Sequence, residues 1–337
     1  MEKHNRFRID FWGRDDFDFR NIDLTSCLII DEALKRNIRP TYLLGKYILI
    51  ENNGTNQLFY KSDNLGLPAV TKKILCSKSD TKEFLSRAGI KVPVGNKFNS
   101  KDNSSIVEYV RKLGRAVIKP DCTDYGRLVY SGIGLREVEK AVNSISRLYR
   151  YLVVEKFVKG NEYRVFVTKK GFCAVCMRMP ANVIGDGKMS INNLIEHKNK
   201  GRQSKKDSVR KLQWYKIKVD DIALGCLKKS GLSLDYVPAK GERVLLRYNS
   251  NICSGGDSIE VTDKIHDSVR ELGKRVLDAI PGLTYAGIDL ITDDISKNIL
   301  RKYRIIEVNN MPGLTLHHYP YIGKPQNAAG ALLDLSY

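Results

Sequence analysis

No apolar run in this 337-residue chain approaches the roughly 20 residues that crossing a bilayer takes. The opening stretch, MEKHNRFRIDFWGRDDF, is charged where a secretory leader would turn apolar. A cytoplasmic protein without a membrane partner is therefore expected. Cysteine is scarce as well. Seven residues, an odd number at irregular spacing, do not make a disulfide framework and fit a reducing compartment. Cys173 and Cys176 form a C-x-x-C, but they lie in a strand-like run, GFCAVCMRM, where residues three apart point to opposite faces. Buried thiols are expected there in preference to zinc or redox chemistry. The regularly spaced Cys and His of zinc fingers, the RNP aromatic pattern and a helix-turn-helix are all missing, which argues against nucleic acid as a partner. No Ser-His-Asp or Cys-His pattern supports side-chain nucleophilic catalysis.

Acidic residues are outnumbered: 57 Lys and Arg against 38 Asp and Glu leave a net charge of +19. A solvated Lys-rich surface explains this, and so does an anionic ligand such as a nucleotide or an acidic peptide. With 42% hydrophobic residues the chain can bury a substantial core, and its length suggests two or three subdomains.

The informative stretch runs from Tyr285 to His317. Two apolar, β-branched runs, 286–291 and 303–308, read as neighbouring buried strands, and each carries an acid where an apolar residue is expected. Asp289 in the first, with Glu307 and Asn309 in the second, supply hard oxygen ligands that suit one or two Mg²⁺ ions holding phosphate oxygens. The alternative is that these acids pair with some of the many Lys and Arg. The turn at Pro312, Gly313 and Leu314 follows, and chemistry is often placed where a strand runs into a rigid loop.

An Asp strand followed by a strand ending E-V-N-x-x-P-G resembles the metal site of the ATP-grasp ligases. The runs DYVPAKGERVLLRYNSNICSGGDSIEVTD (235–263), AGIDLITDDIS (286–296) and GKPQNAAGALLDL (323–335) are similar to the ATP-grasp module of cyanophycin synthetases, and the likeness extends to the glutathione-forming module of bifunctional glutathione synthetases. It covers the chain from about Leu24 onward. The resemblance implies an α+β ATP-grasp fold with a small amino-terminal α/β unit (1–75), a lid subdomain (76–160) and a carboxy-terminal subdomain with the metal site (161–337). It implies ATP and Mg²⁺, two ions with Mn²⁺ able to substitute, and a carboxylate and an amine as small-molecule or peptide substrates. A homo-oligomer is compatible with it. A phosphotransferase acting on a hydroxyl and a non-catalytic basic nucleic-acid-binding protein are the alternatives.

Along the chain, Leu24 to Ile38 has helical periodicity and TYLLGKYILIENNG is strand-like, a small α/β unit. In CSKSDTKEFLSRAGIKVP, Ser77 or Ser79 can cap a helix that runs to Arg87. The spacing from Lys78 to Ala88-Gly89-Ile90 resembles the family's D-K…A-G, whose Lys contacts nucleotide phosphate, with Ser77 in place of Asp. GRAVIKPDCTDYGRLVYSG reads as strand, loop and strand. A strand ending in Lys119 puts an ammonium over a loop whose backbone N–H groups can face phosphate. Gly126 matches the family's glycine-rich loop, and Leu128 stands where a second Gly is usual. YLVVEKFVKGNEYRVFV makes a hinge whose backbone can pair with an adenine edge. By resemblance, Glu155, Lys156 and Val158 serve adenine, Glu162 the ribose hydroxyls and Ile306 the nucleotide.

Arg178 precedes a Gly185-Asp186-Gly187 turn that resembles a loop beside the reacting groups. NKGRQSKKDS is expected as an exposed basic loop. An amphipathic helix is expected from Trp214 to Ser233, and a second from Asp263 to Ile280. The strand ERVLLRYNSN presents Arg247, Asn249 and Asn251 before Ser254-Gly255-Gly256. They can line an anion site or serve turn chemistry, and the family match favours the first. Gly313 and His317 correspond to a substrate-facing loop, in which Thr315 replaces an Arg of cyanophycin synthetase.

Overall fold

The computed structural model describes residues 22–52, 54–64, 66–123, 127–204 and 215–336. Gly126 and nearly all of the aromatic, charged first stretch lie outside the described residues. Helix α1 (Leu24–Lys35) starts where the Asp23 carboxylate accepts from the backbone N–H groups of Thr25 and Ser26, and it buries Leu28, Ile29, Ile30 and Ala33. Strands β1 (Thr41–Leu43), β2 (Tyr47–Asn52), β3 (Thr55–Tyr60) and β4 (Asp63–Asn64) follow as an antiparallel meander, giving the expected small α/β unit. Helix α2 (Ala69–Cys76) then leads into α3 (Lys78–Arg87), capped by Ser77. Lys78 and Lys82 are four residues apart on α3 and thus lie on one face, which also buries Thr81 and Leu85.

The next unit is a four-stranded antiparallel sheet in the order β5-β8-β6-β7, made by β5 (Gly95–Asn99), β6 (Ala116–Pro120), β7 (Tyr130–Ile133) and β8 (Tyr151–Lys156). Helices α4 (Asn103–Leu113) and α5 (Leu135–Ser146) cover one face, and a separate core of Ile106, Val110, Ile118, Val142 and Leu152 holds it together. The opposite face carries Lys119 and Glu155.

The third sheet runs β13-β10-β9-β14-β15, all antiparallel: β9 (Asn161–Thr168), β10 (Cys173–Met179), β13 (Asp257–Glu260), β14 (Tyr285–Thr292) and β15 (Tyr303–Asn309). Between β10 and β13 the chain makes β11 (Asn182–Ile184), α6 (Ile191–Ser204), α7 (Asp221–Lys229) and β12 (Arg243–Leu245), with their own small core around Val183, Ile195, Leu227 and Leu246. Helix α8 (Asp267–Ala279) packs on the sheet, with α9 (Thr315–His318) and α10 (Ala328–Leu333) closing the largest core. Helices and antiparallel sheets make this an α+β architecture. No helix among the described residues is long and apolar enough to cross a membrane.

Four local expectations need correction. The helix expected at 214–233 is only α7, because Asp220 caps it late and the chain turns off at Ser230. The helix expected from Asp263 begins at Asp267, where the His266 ring caps it; Thr262–Lys264 is a separate 3₁₀ turn. Of the strand expected over 242–251, only β12 pairs. The expected basic loop begins as helix through Ser204, and Arg202 is buried on Asp257 rather than exposed. Residues 205–214 lie outside the described residues.

Candidate active site

Asp289 on β14 and Glu307 on β15 are direct register partners, and Gly287 faces Asn309 one pair further on. Opposed residues share a face with Cβ atoms about 5 Å apart, so Asp289, Glu307 and Asn309 project from the same side of the sheet. The register slips between Asp289 and Leu290, where Ile306 is the extra residue of a β-bulge. Such a bulge re-aims side chains, and Ile306 and Glu307 are half-buried in succession where the rest of the strand alternates between buried and half-buried. The Asn309 amide donates to the Gly287 carbonyl (3.3 Å).

The ion-pairing alternative is realised here. Asp289 is 4% exposed and both its oxygens are taken: Oδ1 accepts from Arg164 Nε (2.5 Å) and Oδ2 from Arg178 Nη2 (2.8 Å). Burial raises the Asp289 pKa, but the two guanidiniums outweigh it and hold it at about 2. Arg178 also pairs with Glu162, and Glu162 accepts from the Ser250 hydroxyl. Glu162, assigned to ribose by resemblance, is therefore tied to Arg178, and Arg178 reaches the metal-type carboxylate. Arg164, absent from the sequence-derived site, is the centre of this group, its side chain 11% exposed. Its signal was a charge on β9, whose other residues from Tyr163 to Thr168 are all buried.

A second group lies between α3, β6, β8 and β15. Lys78 Nζ donates to the Thr123 carbonyl (2.6 Å) and stands 3.2 Å from Glu307 Oε1. Lys119 Nζ is 3.0 Å from Glu155 Oε2, and Lys82 pairs with Glu155 Oε1. Burial, above all, pushes the Lys82 pKa well below its ordinary value, with Lys119 adding to the effect; burial also lowers Lys119. Ser77 and Ser79 bind the Asp121 carboxylate, which ties the start of α3 to the end of β6. Lys78, Lys82, Ile306 and Glu307 line one crevice. Behind it a cleft of about 630 Å³ runs between α3, β5 and β8, with Lys82 and Glu155 on its wall. Lys156 is exposed and Val158 half-buried at the end of β8. Leu128, at the position where Gly is usual, takes a left-handed backbone (φ 55).

The remaining candidates separate. Arg247 is buried, its Nη2 2.6 Å from Asp220 Oδ2 and its Nε on the Ser254 carbonyl (3.2 Å). Asn249 is exposed, and Asn251 caps the 3₁₀ turn 252–254. Gly255 (φ +90) and Gly256 pack so closely on Ile217 and the Met179 carbonyl that a Cβ would meet them at 2.8 and 2.7 Å. Asn251, Gly255 and Gly256 thus build a tight turn beside Arg247. Gly313 is exposed. His317 is 1% exposed and turns inward: its Nδ1 lies 3.5 Å from Glu260 Oε2 and 3.6 Å from Cys176 Sγ, so it does not face a substrate cleft. Cys173 and Cys176 are buried as expected. Cys176, Glu260 and His317 are the three groups whose donor atoms cluster closely enough for a metal among the described residues. Glu260 already accepts from Thr262 and Cys176, and a hydrogen-bonded network accounts for the cluster.

Residues 75–315 match the family described as ATP-grasp domain. The chain belongs to the ATP-grasp family. The glutathione biosynthesis bifunctional protein GshAB of Clostridium perfringens (strain 13 / Type A) is 32% identical over 326 residues, 95% of this chain and 42% of that protein. Cyanophycin synthetase of Trichormus variabilis (strain ATCC 29413 / PCC 7937) is 34% identical over 318 residues, 92% of this chain and 34% of that protein. The crystal structure of a bifunctional glutathione synthetase from Pasteurella multocida superposes with a TM-score of 0.69 at 29% identity, covering 94% of this chain and 44% of that one. The chain thus spans 34% to 44% of the length of these relatives. ATP-grasp ligases use ATP with Mg²⁺, and the donor set fits that ion: two carboxylates and an amide oxygen on one sheet face, one carboxylate held ionised by arginines.

Proposed function

We propose that this ATP-grasp chain is an ADP-forming carboxylate–amine ligase acting in the cytoplasm on an amino acid or short peptide. A carboxylate is a poor electrophile; transfer of the γ-phosphoryl group of ATP to its oxygen gives an acyl phosphate and ADP. A neutral amine then attacks the acyl carbon, expelling phosphate and losing a proton, to leave the amide. The observation that carries this reading is the pairing of Asp289 with Glu307 on one sheet face, with Lys78 in contact with Glu307.

The division of labour follows from charge. Asp289, Glu307 and Asn309 would hold Mg²⁺, which we take as two ions that Mn²⁺ can replace. When bound, the metal would offset the negative charge of the transferring phosphoryl group. Lys78 and Lys119 aim ammoniums at the phosphate chain from α3 and β6. Arg178, at the edge of the carboxylate group, is positioned to exchange Glu162 for an anionic oxygen of substrate or phosphate. Lys156 and Val158 offer backbone groups to adenine, Ile306 an apolar floor, and Gly126 a place in the phosphate loop. Arg247, Asn249, Asn251, Ser254, Gly255, Gly256 and Gly313 form the substrate side, Arg247 by shaping the turn. His317 would anchor the short helix α9, which follows Gly313, through its contact with Glu260. In this reading residues 1–75, 76–160 and 161–337 are the amino-terminal unit, lid and carboxy-terminal subdomain.

Hydroxylamine trapping tests the proposal. Purified protein with ATP, Mg²⁺ and a panel of amino acids and short peptides should yield a hydroxamate and ADP with at least one acid. ADP formation with a phosphorylated alcohol and no hydroxamate would replace the ligase with a phosphotransferase.

A further inference from the structure

Lys82 has no part in the reading above, yet it is the side chain on which the two lysine-bearing elements meet. It sits one turn after Lys78 on α3, is 9% exposed, and pairs with Oε1 of Glu155 on β8, while Lys119 on β6 takes Oε2 of the same carboxylate at 3.0 Å. Glu155 itself is 2% exposed. A buried carboxylate that loses one of two ammonium partners must place its whole charge on the other. With Lys82 on Oε1, Lys119 shares that charge through Oε2.

We propose that Lys82 is a positioning residue for nucleotide binding: by occupying one oxygen of Glu155 it prevents that carboxylate from closing on Lys119, and so leaves the Lys119 ammonium available to the phosphate chain. The proposal rests on the ligase reading only in taking Lys119 to face phosphate. The two lysines therefore differ in kind. Lys119 would touch the nucleotide, and Lys82 would act through Glu155. Lys82 also forms the wall between the crevice at Glu307 and the cleft of about 630 Å³ behind it, with Glu155 beside it on the cleft side. Movement of Glu155 toward Lys119 would open that wall.

The test is a double-mutant cycle read by calorimetric titration of the full chain with ATP and Mg²⁺. Lys82→Met should weaken ATP binding on the order of tenfold, the scale of removing one close donor from a poorly screened charge group. Lys82→Arg, which keeps a donor on Oε1, should stay near wild type. Glu155→Gln removes the carboxylate that would trap Lys119, so Lys82→Met placed on that background should cost about threefold at most. A purely structural strut would lower the unfolding temperature in K82M and in the double variant alike, with no recovery of ATP affinity. Wild-type affinity in K82M, or equal losses on both backgrounds, would overturn the proposal. If K82M does not fold, Lys82→Gln takes its place in the same cycle. Failure of the wild-type chain to bind ATP would instead bring down the functional reading, and the proposal with it.

Discussion

Arg164 and Asp289 face each other across β9 and β14 as a direct register pair, with Arg164 Nε 2.5 Å from Asp289 Oδ1. The guanidinium passes over Gly287, where a Cβ would lie 3.2 Å from Arg164 Nη1 and 2.6 Å from the Pro312 Cβ. Gly287 thus keeps open the space through which a central-strand arginine reaches a metal-type carboxylate. Removing one partner of a buried pair leaves the other charge uncompensated, so Arg164→Met should destabilise the protein by about 3–5 kcal/mol in urea unfolding. Arg164→Lys should recover part of that loss. An unchanged midpoint in R164M would show that Arg178 alone satisfies Asp289.

Gly287→Ala tests the same relationship sterically. The added methyl must displace Pro312 or the arginine, and overpacking of this kind costs about 1–3 kcal/mol. Because Pro312 lies in the loop that follows Asn309, the effect should extend to function, with Mg²⁺-dependent ADP release falling more than stability alone predicts. A variant with normal turnover and a normal melting temperature would mean that the loop yields freely.

Much of the fold could be read from the chain, for definite reasons. Apolar periodicity marked the helix beginning at Leu24, Ser77 caps the one beginning at Lys78, and the β-branched runs of β14 and β15 announced buried strands. The carboxylate pair showed because acids interrupt those runs. What stayed hidden was partnership. Arg164 reads as one more charge in EYRVFV until β9 is known to be the central strand of five, buried on both faces. Lys82 looks like a surface helix residue until α3 is docked on β8. The sequence places His317 in a loop, but α9 turns it inward onto Glu260, a contact 57 residues away in sequence that no local pattern encodes.

Glu307 carries the next prediction. It is 28% exposed at its side chain and contacts Lys78, so Glu307→Gln should fold normally while removing an anionic oxygen from the proposed metal site. Mg²⁺-dependent tightening of ATP binding, measured by titration with and without the ion, should shrink about tenfold or more. Asn309→Ala should produce a smaller loss, since a neutral amide oxygen is exchanged for water. Equal Mg²⁺ dependence in E307Q and wild type would move the metal site elsewhere.

The paired imidazoles His317 and His318 give a pH dependence with a definite sign. Both are buried, and burial lowers both pKa values; His318, with His317 also disfavouring its charge, is pushed down to about 3. Folded, His318 stays neutral with Nε2 accepting from the Ala329 N–H, while the unfolded chain takes up a proton near the ordinary value of 6.5. A group whose pKa is depressed by folding costs nothing above its unfolded value. Stability should therefore be full above about pH 6.5 and fall from there toward pH 3, by up to about 1.4 kcal/mol per pH unit for each imidazole. Lys35 opposes protonation of His318 further, whereas Glu260 favours it at His317, so His318 should dominate the slope. Below the ordinary aspartate value of 3.8, protonation of Asp289 toward its folded value of about 2 steepens the loss. In urea titrations between pH 7 and 4, His318→Gln, whose amide oxygen can still accept from Ala329, should lose stability at pH 7 yet show a flatter pH profile than wild type. A profile of unchanged steepness would show that His318 is not the group that titrates.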